Sequence, residues 1–451
     1  MTTHTIRKGF DIKIAGPAEA KIESCPEPVL VGLQPAEFLG IRPKLLVKEG
    51  QEVATGEPVL LDKSRPGVQL VAPATGRVTK VVLGQRRFPD RIEITPAAED
   101  RFFDGPRLDA DRLDGTSRDE VIEALEGAGL WPYLRQRPLG KIAAKDRVPT
   151  AIYVNGMDTE PLAADPAVAV QGRGEALQAG IRLLRRLTDG PVYLTTATGE
   201  QPAEFRGLQG VEQHQFSGPH PAGLVGTHIA QIAPLGPDQV VWYLKAQEAA
   251  TLGEWVISGR YPTHRVVAVA GSAAPQRRYC KVRQGAALLT LTGGQPLGGD
   301  LRVINGTVLS GVASDAMGVL GFYAQTVSII PEGSDSRELF GWARPQFGRL
   351  SASRAVFSWL MPKDRYELDA RLNGGPRHIV NIGQWERMTP LDIHPTFLVR
   401  AVQAGDLEEA INLGLLEVTE EDVALCTFAD PCKIEVGQII REGLDLYETE
   451  G

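Results

Sequence analysis

Three histidines, His214, His220 and His228, follow one another at intervals of six and eight residues. The last two belong to Phe216–Ile229, FSGPHPAGLVGTHI, a stretch that neither strand nor helix propensity explains. Gly218, Gly223 and Gly226 allow close approach to a ligand or another chain, while Pro219 and Pro221 restrict the backbone. His220 and His228 would be its only donors that change charge near neutral pH, and each can hydrogen-bond a carbonyl or a phosphate. Three readings stay open: a structural loop or subunit contact, a ligand site, or a metal site. The third is the weakest, because these spacings match no compact metal template.

Other chemistry finds less support. Val47 to Val82 reads as the two halves of a small biotinyl- or lipoyl-type barrel, with Gly50 and Gly56 at tight turns and Val47, Val53, Val59 and Leu61 as core. The hairpin between the halves reads Leu61-Asp62-Lys63-Ser64-Arg65-Pro66-Gly67, so Arg65 stands at the carrier-lysine spacing and no covalent cofactor is expected. Cys25, Cys280, Cys426 and Cys432 are too scattered for a disulfide framework or an iron–sulfur cluster. Gly172-Arg173-Gly174 precedes a helix, but Leu177 occupies the third glycine position of a dinucleotide loop. Neither a Gly-x-Ser-x-Gly elbow nor a Gly-Lys-Ser/Thr phosphate loop occurs. Thr292-Gly293-Gly294 and Leu297-Gly298-Gly299 read as turns, with a backbone cradle for a small ligand as the other reading. Trp342, Phe347, Trp359 and Trp385 read as interface anchors or core.

The elements that must position these residues fall into four blocks. Short β-like runs with Gly and Pro turns fill residues 1–110. Ser117 to Glu120 is a capping box, and AIYVNG (151–156), a helix near 174–187, PVYLTT (191–196) and QVVWYLKA (239–246) then alternate strand with helix. That rhythm predicts an α/β layer with a largely parallel sheet over 111–256. HRVVAVAG, ALLTLTGG and LRVINGTVLSG predict a compact β-grasp-like domain over 257–330. Residues 331–451 are expected to be mainly helical, with Asp406 and Thr419 as N-caps and Gly414 as a stop. The fold class is thus multidomain α+β.

With 451 residues the chain has room for about three or four domains. Its 48 Lys+Arg against 56 Asp+Glu give a net charge of −8, without the basic cluster that nucleic acid requires. No run of 18 apolar residues and no apolar leader appear, so a cytoplasmic chain is expected.

Six segments in order carry a resemblance: Arg7 to Gly16, RPKLLVKEGQEVATGEPV (42–59), PGVQLVAPATGRV (66–78), FSGPHPAGLVGTHI (216–229), NGTVLSG (305–311) and ALCTFADP (424–431). Along nearly its whole length the chain resembles the A subunits of the sodium-translocating NADH:quinone reductases. The C subunit of the Rnf complex and the flavin subunit of complex I share the domain order but add cysteine-rich cluster motifs, which are absent here. The resemblance implies a barrel-sandwich domain, a Rossmann-like α/β domain, a soluble-ligand-binding β-grasp domain and a helical C-terminal part. It implies a peripheral protein on the cytoplasmic side of the bacterial inner membrane, seated on the membrane-embedded B subunit and assembled with the C to F subunits. The complex passes electrons from NADH to ubiquinone and moves Na⁺ outward, with FAD, FMN, riboflavin and iron–sulfur centres on other subunits. On this reading the chain has no redox centre and is not catalytic alone. Phe216, Gly218, His220, Gly223, Gly226 and His228 then become candidates for the quinone entrance or a subunit interface, the alternative being a purely structural scaffold.

Overall fold

The computed structural model describes residues 2–236, 238–294, 298–315, 318–334, 348–353, 357–380 and 382–450. Trp342, Phe347 and Leu297 lie outside the described residues.

The barrel expected near the N-terminus is built from two small sheets. One joins Val31–Leu33, Pro89–Pro96, Gly76–Leu83 and Glu52–Val53; the other joins Pro43–Leu45, Pro58–Asp62 and Gln69–Val71. Val53, Val59, Leu60 and Val78, all fully buried, fill the space between them. The hairpin tip is tied to the body. Asp62 accepts from the backbone N–H groups of Arg42 and Ser64 and from Arg65 Nε at 2.9 Å, while Arg65 Nη1 donates to Ile142 O. Arg65 therefore serves as a structural clasp.

The first 24 residues do not stay with the barrel. Thr2–Thr5 runs parallel to Glu212–Ser217, and Glu19–Ser24 runs parallel to Arg278–Arg283. Each forms an outer strand of a six-stranded sheet belonging to a later part of the chain.

The α/β sheet has the order Thr2–Thr5, Glu212–Ser217, Val192–Ala197, Ile152–Gly156, Val241–Lys245, Arg135–Arg137. Its central strands are parallel, and only Arg135–Arg137 runs antiparallel. Ser117 closes the expected capping box with Glu120 at the start of Arg118–Gly127. Helices Gly174–Arg185 and Ala246–Ser258 cover one face and touch backbone to backbone. A Cβ at Gly180 would lie 1.9 Å from Ala249 O, and one at Gly253 would lie 1.7 Å from Ala176 O. Gly253→Ala should therefore destabilise the chain. The clash forces the helices apart at about 1–3 kcal/mol, outweighing the helix propensity gained, which is about 1 kcal/mol. A lowered thermal midpoint is the expected reading, and an unchanged or raised one would contradict the packing.

The second large sheet has the order Val312–Ser314, Leu301–Asn305, Thr326–Pro331, His264–Ala270, Arg278–Arg283, Glu19–Ser24. ALLTLTGG is not one of its strands: Leu288–Leu291 forms a single helical turn, followed by Gly293 and Gly294 at positive φ. Its apolar run is a buried plug, since Leu288 and Leu291 pack into the core under the sheet. Short apolar runs do not distinguish a strand from a buried turn.

The C-terminal part is helical from residue 384, with Pro395–Ala404, Leu407–Asn412, Glu420–Ala429 and Val436–Glu450 as its main helices. Asp406 and Thr419 cap as expected, and Gly414 is left-handed. Before residue 384, the described residues from 348 onward hold only a single 3-10 turn, Phe357–Trp359, so the helical expectation for 331–451 does not extend to them.

Candidate functional site

Phe216–Ile229 is not one loop. Phe216 and Ser217 end the strand Glu212–Ser217, a turn follows, and Val225–Ile232 is a helix that contains His228. Both histidines are fully buried. His228 Nε2 donates to Ala222 O at 3.0 Å, which leaves Nδ1 to accept from Thr195 Oγ1, also at 3.0 Å. The ring is neutral, and burial lowers its pKa to about 3. His220 Nδ1 pairs with Thr159 Oγ1 at 3.2 Å, and burial lowers its pKa to about 4. The expectation that these rings titrate near neutrality is thereby corrected: desolvation penalises the charged imidazolium.

The glycines accommodate the chain itself. A Cβ on Gly218 would lie 2.2 Å from Ile6 O, on Gly223 2.5 Å from Thr159 N, and on Gly226 2.1 Å from Asp422 Oδ1. His214 turns to the N-terminal strand, where its Nδ1 meets His4 Nε2 at 3.0 Å. Among the described residues no group of three or more His, Cys, Asp or Glu side chains could hold a metal ion.

What the turn builds is a wall. Leu224 and Val225 line a cleft of 1910 Å³ at the carboxyl ends of the parallel strands. Four of the six resemblance segments meet there: Ile12 and Ile14, Leu224 and Val225, the turn Asn305–Gly311, and Ala424 with Thr427–Pro431. The location follows from topology. From Ile152–Gly156 the chain moves to one side through Val192–Ala197 and Glu212–Ser217, then returns to the other side with Val241–Lys245. The crevice between two such oppositely wound halves is where open α/β sheets bind ligands.

The polar groups of the cleft come from the strand ends. Asp158 and Glu160 follow Ile152–Gly156, and Lys245 ends Val241–Lys245 with its Nζ 3.2 Å from Asp158 Oδ2. Burial works against the charge of Lys245, but Asp158, Glu160 and Glu248 overcome it and hold the ammonium above its usual range. Glu160 Oε2 accepts from Thr307 Oγ1 at 3.0 Å and Ser310 Oγ at 2.9 Å, joining the α/β layer to the second sheet. Burial, with Asp158 beside it, raises the Glu160 pKa to about 7. Arg135 lies over Tyr243 and Tyr323, its guanidinium carbon 4.7 Å from each ring centroid. Asp158, Glu160, Lys245 and Arg135 were not singled out from the sequence. Their signal is the acidic turn NGMDTE directly after a predicted strand, read together with the lysine that ends the last parallel one.

Comparison with known proteins finds relatives along the chain. Residues 4–97 match the family model described as the NqrA N-terminal barrel-sandwich hybrid domain, residues 116–261 the NqrA second alpha/beta domain, and residues 266–316 the NQRA C-terminal domain. The chain is 39% identical over 448 residues to the A subunit of the Na(+)-translocating NADH-quinone reductase of Neisseria meningitidis serogroup B, covering 99% of both chains. It is 40% identical over 448 residues to the protein of the same name from Yersinia pestis bv. Antiqua, again over 99% of both. Among solved structures, a chain of a NAD+-reducing [NiFe]-hydrogenase aligns over 69% of this chain and 70% of that one, at 14% identity and a TM-score of 0.33.

Proposed function

The chain belongs to the NqrA family, the A subunits of the Na(+)-translocating NADH-quinone reductases, and from that membership we propose that it sits peripherally on the cytoplasmic side of the complex and helps shape its quinone site. In this reading it docks on the membrane-embedded B subunit, assembles with the C to F subunits, and carries no redox centre of its own. The FAD, FMN, riboflavin and iron–sulfur centres between NADH and ubiquinone then belong to other subunits. The observation that carries the proposal is the identity of 39–40% from end to end with named members of that family. Two features support it. No helix among the described residues is long and apolar enough to cross a membrane, so attachment would come through a protein interface. The turn at the switch point, where a nucleotide phosphate would approach, carries Asp158 and Glu160.

A scaffold role is the second reading, and the burial of His220 and His228 favours it. The two are separated in the assembled enzyme. His220→Ala removes the hydrogen bond to Thr159 in the turn that leads to Leu224 and Val225, so in the first reading the apparent KM for quinone should rise. NADH oxidation by an artificial acceptor should stay unchanged. If His220→Ala and His228→Ala both assemble and reduce quinone normally, the scaffold reading stands.

A further inference from the structure

Cys25 and Cys280 lie far apart in the sequence, and both are free thiols. The fold brings them together. Glu19–Ser24 runs parallel to Arg278–Arg283 with Glu23 opposite Cys280, and the ladder extends one residue further, where the Cys25 N–H donates to Lys281 O at 3.0 Å. Side chains alternate along a strand, so Glu23, Cys25, Arg278 and Cys280 share one face. The ion pair on that face, Arg278 Nη1 to Glu23 Oε2 at 2.5 Å, agrees with this register. Cys280 is fully buried in the core under the sheet, Cys25 packs half-buried against the same core, and the two thiols share a hydrogen bond.

The surroundings treat the two sulfurs differently. The hydrogen bond from Cys25 lowers the Cys280 pKa, and Arg278 beside it acts in the same direction against burial. That hydrogen bond, together with burial, raises Cys25. A proton shared in this way belongs to the pair, and the outer sulfur becomes the thiolate by passing its proton inward. Cys426, by contrast, meets Thr389 Oγ1 at 3.3 Å, and burial raises its pKa to about 12. The strand that carries the pair's outer member is itself a lightly held edge. Glu19–Ser24 is an outer strand, exposed or half-buried along its length, and it ends the segment that bridges the two large sheets.

We propose that Cys25 and Cys280 form a reversible redox pair, closed by exchange with a low-molecular-weight disulfide such as oxidised glutathione, and that closure locks Glu19–Ser24 onto the second sheet. The Cys25 thiolate attacks one sulfur of the small disulfide, breaking its S–S bond and releasing one small thiolate. Cys280, ionised beside Arg278, then attacks the Cys25 sulfur, forms the protein S–S bond of about 2.05 Å and releases the second small thiolate. The two protons of the protein thiols end on two small thiols, and the two electrons reduce the external disulfide. Excess small thiol reverses both steps.

The full-length purified chain, equilibrated in glutathione buffers of rising oxidised fraction, then alkylated and digested without reductant, tests this by mass spectrometry. The parent should yield a linked Cys25–Cys280 peptide, lighter by two hydrogens than its separate parts and abolished by dithiothreitol, while Cys426 stays reduced. Cys280→Ser should stop after the first step and accumulate glutathione on Cys25, and Cys25→Ser should take up none at Cys280. In the oxidised parent, amide hydrogen exchange over Glu19–Ser24 should slow about tenfold, a change that Cys25→Ser cannot show. The proposal is overturned if the folded parent yields no linked peptide, if glutathione gathers on Cys426 as readily as on Cys25, or if oxidation leaves exchange over Glu19–Ser24 unchanged. All three of these outcomes are read on the parent chain, so a variant that fails to fold leaves the test intact.

Discussion

Arg137→Leu should destabilise the chain by about 3–5 kcal/mol, the cost of leaving a buried charge without its partner. Arg137 is 1% exposed and lies in the edge strand of the α/β sheet. Its Nη1 donates to Asp422 Oδ2 at 2.6 Å and its Nη2 to Glu421 Oε1 at 2.8 Å, both in the first turn of the helix Glu420–Ala429. Asp422 also accepts the backbone N–H of Thr419, so its carboxylate both caps the helix and anchors it to the sheet. Burial already pushes the Asp422 pKa up, and loss of the guanidinium would make its ionised form costlier still. A denaturation midpoint within the error of the parent would show that the pair contributes nothing. The double variant Arg137→Leu with Asp422→Leu should recover part of the loss, since two apolar residues leave no charge unpaired.

This pair matters to the cleft because the same helix supplies Glu421 to its lining. The Arg137 and Arg135 cations and Lys245 hold the Glu421 carboxyl below its ordinary range against the opposing effect of burial. The edge strand Arg135–Arg137 thus sends one arginine to the domain contact and the other to the tyrosines of the cleft. Undocking of the helix should therefore be felt as altered ligand binding as well as lost stability.

Local signals were legible in the sequence. Ser117, Asp406 and Thr419 announced their helices because a capping side chain needs only its own first turn. The strands Ile152–Gly156 and Val192–Ala197 announced themselves as apolar runs bounded by turns. Long-range pairing was not legible. Thr2–Thr5 is largely exposed and polar, and it is a strand only because Glu212–Ser217, some 210 residues away, offers an open edge. The histidines misled for a related reason. Residue type suggests titration near neutrality, but burial decides it, and burial of His220 and His228 depends on Thr159, Thr195 and the N-terminal segment. Asp158, Glu160 and Lys245 are ordinary acids and an ordinary lysine until the sheet order places two strand ends side by side.

Glu160→Gln should change how stability depends on pH, by an amount that grows to about 3 kcal/mol between pH 4.5 and 7. The folded-state pKa of Glu160, about 7, lies above its ordinary 4.5 because burial penalises the charged carboxylate. Below 4.5 the carboxyl is protonated in both folded and unfolded chains and the penalty is absent. As pH rises from 4.5 to 7, the unfolded chain releases this proton while the folded chain keeps it, and stability falls by about 1.4 kcal/mol per pH unit. His220 and His228 act in the opposite sense. Their folded-state pKa values of about 4 and 3 lie below the ordinary 6.5, so the stability their burial allows is present above 6.5 and is lost as pH falls toward those values. Between roughly 4.5 and 6.5 the two histidine slopes together outweigh the single Glu160 slope in the parent chain, leaving a net rise with pH of about one proton's worth. Glutamine keeps an oxygen for Thr307 and Ser310 but cannot ionise, so it removes only the term that penalises high pH. The unfolding free energy of the variant relative to the parent should therefore climb steadily from pH 4.5 to 7 and then level off. A difference that stays flat across that interval would mean that Glu160 ionises normally and that the cleft is wetter than its packing indicates.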